Sequence, residues 1–173
     1  MKNNTIELAV EFDAQGYPTS YNTYVTRPNK ITFMLVYECL SFLADLNDMP
    51  TSTEVYQMID LVCRIYDHQF SSSQLMDGLD SHLGTFILYE QIQFIGSGNS
   101  IDGEASTEVK NTEGPRTWKD AKENMKGVYQ DMAKQEGSDI NSILNLPFYF
   151  VFDELNKDVQ KKNYKESMLD AFT

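Results

Sequence analysis

The chain has 173 residues, of which 26 are acidic and 14 basic, for a net charge of −12. Ten Phe, ten Tyr and one Trp in a 41% hydrophobic composition argue against wholesale disorder, which is poor in aromatics. The acidic balance argues against nucleic acid and anionic membranes as partners, and two cysteines do not make a disulfide scaffold. The length suits one domain, or one domain with an appendage, and a chain of this size buries roughly two thirds of its surface on folding. Met1–Val10 lacks the long apolar stretch of a secretion signal, and no run approaches the roughly 18 apolar residues of a membrane helix. A soluble, intracellular protein is expected, which leaves the sequon Asn3-Asn4-Thr5 without weight. Residues 1–100 carry 4 basic and 12 acidic side chains, and residues 101–173 carry 10 and 14, so the first part is the more acidic.

In chain order, Ile6 to Phe12 alternates apolar and polar residues, the period of a half-buried strand. Asp13-Ala14-Gln15-Gly16-Tyr17-Pro18 has turn composition. Ser20 to Thr26 alternates again, with Tyr21, Thr23 and Val25 on one face, so a β-hairpin is expected; alone it would be marginal and must pack on something. Arg27-Pro28 ends it, and Asn29 or Lys30 is expected to open a helix over 31–47, apolar on most sides. Pro50 stops this helix. Thr51 with Glu54 reads as a capping box opening a helix over 53–67, and Ser71 with Gln74 as a second one opening a short helix that ends near Gly78. Asp80 or Ser81 is expected to cap a helix that shows the apolar residues Leu83, Phe86, Ile87, Tyr89, Ile92, Phe94 and Ile95.

The composition then shifts. Residues 96–116 are rich in Gly, Ser, Asn, Thr and Glu and show no period, so a flexible linker is expected there. Thr117 caps a helix over 118–135 with Trp118, Ala121, Met125, Val128, Tyr129 and Met132 on one stripe, and Gly137 ends it. A short helical turn through Ile140 and Ile143 follows, and Pro147 stands where a first helical residue would. The expected fold class is α+β and predominantly α-helical: residues 1–95 form a β-hairpin packed on about four helices, 96–116 a linker, and 117–173 a C-terminal helical segment.

Little in the chain reads as catalytic chemistry. His68 beside Asp67, and His82 near Asp77 and Asp80, would allow a two-His, one-carboxylate metal site. Chance matches of this kind are common, so surface or helix-end positions are the preferred reading. Cys39 and Cys63 lie on apolar stripes and read as core residues. Gly96-Ser97-Gly98 lacks the Lys-Ser/Thr of a phosphate loop, and Asp77-Gly78-Leu79-Asp80 lacks the oxygen pattern of a calcium loop. No enzyme activity, cofactor or metal is expected. Leu146-Pro147-Phe148-Tyr149-Phe150-Val151-Phe152 stands out: its four aromatics either fold back onto the main domain or anchor a partner. The candidate partner-binding residues are Trp118, Pro147, Phe148, Tyr149, Phe150 and Phe152.

Several of these stretches, taken in order, carry a resemblance. They are the hairpin, Arg27-Pro28-Asn29-Lys30-Ile31-Thr32, the helix Leu35–Leu46, the run Tyr56 to Phe70 and Ser73-Gln74-Leu75-Met76-Asp77-Gly78-Leu79-Asp80. Together they resemble the tail assembly chaperones of siphophages and prophages of Gram-positive bacteria. The resemblance covers about residues 20–95 and is most specific from Gln69 to Asp80, where Met76 replaces a usual Tyr and Ser71 a usual Thr. Ala121 to Met125, and Ile140-Asn141-Ser142-Ile143-Leu144-Asn145-Leu146-Pro147-Phe148-Tyr149-Phe150, resemble the extension that such phages make by programmed ribosomal frameshift. The resemblance therefore implies the long form of the lambda-like G–T scheme. It implies a chaperone that coats and solubilises the tape measure protein through its first part and recruits major tail tube subunits through its second. Such a chaperone works in the host bacterial cytoplasm and is absent from the mature virion. The free edge of the hairpin leaves self-association open. Competing expectations are a small acidic adaptor or inhibitor of a host protein, and a metal-dependent enzyme built on the two histidines.

Overall fold

The computed structural model describes residues 3–46, 48–97 and 117–148. Strands β1 (Thr5–Phe12) and β2 (Pro18–Val25) form a two-stranded antiparallel sheet, paired from Thr5 with Val25 to Phe12 with Pro18, with register shifts around Glu11. The alternation expected from Ile6 to Phe12 holds only in the first half of β1: Ile6 and Leu8 point into the core and Glu7 faces out, but Ala9 is buried while Val10 and Phe12 are exposed, where the register shifts break the period. On β2 the expected face of Tyr21, Thr23 and Val25 is the exposed one. Tyr24, opposite Ile6, is the residue that turns inward.

A 3-10 turn, Pro28–Lys30, follows the hairpin, and helix α1 runs over Phe33–Asp45. The helix thus opens at Thr32, whose hydroxyl accepts from the Leu35 amide, and not at Asn29 or Lys30. The reason is tertiary. Ile31 and Thr32 stay extended because Thr32 bridges Pro147, the Ile31 carbonyl accepts the Phe148 amide at 2.8 Å, and the Phe33 amide reaches the Leu146 carbonyl at 3.1 Å. Helices α2 (Ser52–Ile65) and α3 (Ser72–Gly78) open with the two expected capping boxes, each complete. Helix α4 (Gly84–Gly96) starts later than expected. Asp80 does not cap it directly but accepts the His82 and Leu83 amides in a turn ahead of it. Gly96, expected to begin the linker, closes α4 in the core: a Cβ there would lie 2.7 Å from Leu43 Cδ1. The remainder of the expected linker, 98–116, lies outside the described residues.

Helix α5 (Trp118–Glu136) is capped by Thr117 and ends at Gly137 in the left-handed conformation; α6 (Ile140–Leu144) follows. Helices α1 and α2 both pack on α4, α3 packs on β1, and α5 lies along α1. Residues from β1 and all six helices meet in one apolar core, with Tyr24 of β2 partly buried against it. Tyr129, Met132, Ile143 and Phe148 contribute to it beside Phe33, Val36 and Leu40. The described part of the C-terminal segment therefore shares its core with the first part.

Candidate partner-binding site

The stretch that carries the most specific part of the resemblance begins in a turn that joins the hairpin to the helices. After α2, Asp67 and His68 both adopt φ +53°. Left-handed backbone costs a non-glycine residue roughly 1–2 kcal/mol, so fixed contacts must hold it. The His68 amide donates to the Cys63 carbonyl at 2.9 Å, and the Asp67 carboxylate pairs with Arg27 at 3.1 Å. Gln69 donates its side-chain amide to the Val25 carbonyl at 2.8 Å. Phe70 is buried, edge-on to Tyr24 with ring centres 5.0 Å apart and 5.5 Å from Tyr66. Beneath the turn, the Tyr66 hydroxyl and the Asn4 side-chain amide (2.7 Å) both donate to Gln91 Oε1, joining α2, α4 and the chain ahead of β1. Burial pushes the Tyr66 phenol above its ordinary pKa. The motif thus works as an architectural clamp, a role that spacing alone does not reveal.

Trp118 is half-buried at the start of α5, its ring beside Gly96. It lines a cleft of about 580 Å³ with Leu43, Leu46, Met58, Phe86 and Tyr89. Phe86 is 59% exposed, and the neighbouring Leu83 is 57% exposed and Met49 83% exposed. Asp48, His82 and Thr85 line the same cleft, so polar and apolar side chains meet there around the exposed Phe86 ring, and exposed aromatics in such settings are common at protein-binding surfaces. Leu83 and Phe86 were not among the contacts expected from sequence, because they were counted with the apolar residues of the helix, and Met49 lies in the break before Pro50, where no contact was expected.

The other expected residues lie elsewhere. Pro147 is half-buried in its bridge to Thr32, immediately before Phe148, whose backbone is helical and which is the last described residue of this stretch. Phe148 is only 3% exposed, edge-on to Phe33 at 5.0 Å, so it serves the core and is no exposed anchor. The backbone pairing of Ile31–Phe33 with Leu146–Phe148 carries its ring inward. Of the two readings of the aromatic run, folding back holds for Phe148. Tyr149, Phe150 and Phe152 lie outside the described residues.

Both cysteines are buried, and burial pushes the Cys39 thiol up to about 12 and raises Cys63 as well. This is the environment of packing residues, since the reactive form of cysteine is the thiolate. His68 and His82 are exposed, and no group of three or more potential metal ligands comes together among the described residues. No helix among them is long and apolar enough to cross a membrane.

A helical body with exposed apolar side chains beside a cleft, and no cluster of metal ligands among the described residues, suits contacts with other proteins. Comparison with known families agrees: a family model described as phage tail chaperone protein matches residues 1–115 of the 173. The chain belongs to the phage tail chaperone family. No curated protein and no solved structure matches it.

Proposed function

We propose that this chain is the long form of a siphophage tail assembly chaperone that binds and solubilises the tape measure protein and recruits major tail tube subunits around it. The observation that carries the reading is the family match across residues 1–115. The Gln69–Asp80 pattern supports a phage or prophage of Gram-positive bacteria, and the Ile140–Phe150 run supports a product of programmed frameshift. Tape measure binding is assigned to residues 1–95. Tube recruitment is assigned to 117–173, with Trp118, Tyr149, Phe150 and Phe152 as contacts. Because α5 and α6 share a core with α1, both roles would be performed from one body. The work takes place in the host cytoplasm, and polymerising tube displaces the chaperone, which is then absent from the virion. Weak binding repeated along a helical partner suits a carrier of charge −12, whose acidity keeps the complex in solution.

Co-expression with the tape measure protein tests this. The tape measure protein should move from the pellet to the soluble fraction when this chain is present. A tape measure protein that is equally insoluble with and without the chain contradicts the reading.

A further inference from the structure

Helices α1 and α2 each pack on α4 but only lightly on one another, which leaves a trough between their outward stripes. The trough encloses about 610 Å³. Phe42 of α1, Leu46 just past its end and Leu61 of α2 form its apolar lining. Tyr56, 67% exposed, stands beside them. Along α2 the lining extends from Thr53 to Arg64, roughly 16 Å at 1.5 Å per residue, or about three helical turns. A slot flanked by two helix stripes accepts a third helix as ridges accept grooves.

The rim has a definite sign. Glu38, Asp45, Glu54 and Asp60 face it against one cation, Arg64. That guanidinium is already engaged, paired with Glu38 and 3.7 Å from Asp60. Asp45 forms no ion pair among the described residues and is exposed at the end of α1, close to Leu46. Glu54 is held by the Thr51 amide in the capping box, so a cationic helix with an apolar stripe would bury Phe42, Leu46 and Tyr56 while setting basic side chains against Asp45 and the net negative charge of the rim. A second copy of this acidic chain would meet like charge instead.

We infer that the trough between α1 and α2 is a docking site for a basic amphipathic helix of a partner protein, about three turns long. This rests on the reading of the chain as a tail assembly chaperone and assigns that chaperone a surface and a partner chemistry.

The test is titration of the isotope-labelled full chain with an 18-residue synthetic peptide of Leu and Lys at helical spacing, beside a matched Leu–Glu peptide. The Leu–Lys peptide should shift amide resonances of Phe42, Leu46, Tyr56 and Leu61, and the Leu–Glu peptide should not. Tyr56→Ala and Asp45→Lys, both at exposed positions, should each weaken binding about tenfold, the size expected of an interface anchor. Glu11→Lys makes the same charge change on the hairpin and should alter binding less than about twofold. Shifts spread over the hairpin, equal weakening by Glu11→Lys, or trough resonances that move with protein concentration alone would overturn the inference; the last would make the trough a contact between copies. Co-expression separates this from the functional reading. If the double variant solubilises tape measure protein as well as the unaltered chain does, the trough assignment fails and the chaperone reading stands. If the unaltered chain does not solubilise it, the chaperone reading fails, and the peptide titration still decides the trough.

Discussion

Phe148→Ala separates a core role from a contact role at the one described aromatic of the C-terminal run. The ring is 3% exposed and meets Phe33 edge-on at 5.0 Å. Truncating a buried Phe to Ala costs about 3–5 kcal/mol, from lost transfer energy and the cavity left behind. An edge-to-face pair adds about 0.5–1.5 kcal/mol that a cycle with Phe33→Ala should isolate as coupling. The backbone bond from Phe148 to Ile31 survives the change, so the loss should be no larger than this sum. Against a total stability of about 5–15 kcal/mol, the variant should be folded but marginal. With a urea slope near 2 kcal/mol per molar, a loss of about 4 kcal/mol lowers the midpoint by about 2 M. Equilibrium urea unfolding followed by circular dichroism and by Trp118 fluorescence reads both numbers. A loss under about 1 kcal/mol with no coupling to Phe33 would refute the packing of the C-terminal segment against α1.

Gly78 should not tolerate Ala. The added Cβ would lie 2.8 Å from Leu8 Cβ and 3.1 Å from the Ala9 carbonyl oxygen, so Gly78→Ala should cost about 1–3 kcal/mol by thermal unfolding, and an unchanged melting temperature would contradict the close approach of α3 to β1. His68→Gly should stabilise by about 1 kcal/mol, since the left-handed backbone is relieved and the His68 ring is exposed; a lower melting temperature would show that the ring holds the turn. Stability should fall at alkaline pH. The Cys39 pKa is raised on folding from 9.0 to about 12, so its contribution is fully present below pH 9 and is lost as pH rises from 9 towards 12; the Tyr66 phenol is raised in the same direction. The urea midpoint should therefore drop between pH 8 and 10.5, less steeply in Cys39→Ala, and a midpoint flat over that range would contradict the burial. Native protein should also react slowly with thiol reagents at both cysteines, and fast labelling would show an exposed thiol.

What the sequence revealed follows the range of the interactions. Period and capping are local, so the hairpin, the boxes at Thr51/Glu54 and Ser71/Gln74, and the Thr117 cap could be read directly. The start of α1 could not, because Ile31 and Thr32 are held extended by residues 146–148, far along the chain. The left-handed pair Asp67-His68 was hidden because neither residue is glycine, and only Arg27, Val25 and Tyr24 across the gap show what the turn holds. Counting apolar residues without their phase also mistook exposed ones for core: Phe86 precedes Leu88 by two positions, which at 3.6 residues per turn puts it on the far side of α4, and Leu83 lies ahead of the helix; both are exposed. The reverse held for Phe148, where aromatic crowding suggested a surface anchor and long-range pairing drew the ring inside.

In the proposed function this chain holds a tape measure protein in solution by direct contact. Size-exclusion chromatography with light scattering on the co-expressed pair tests it most directly. One species is expected, with a mass corresponding to several copies of this chain on one tape measure protein. A soluble chain eluting alone, with no tape measure protein in its peak, would contradict it.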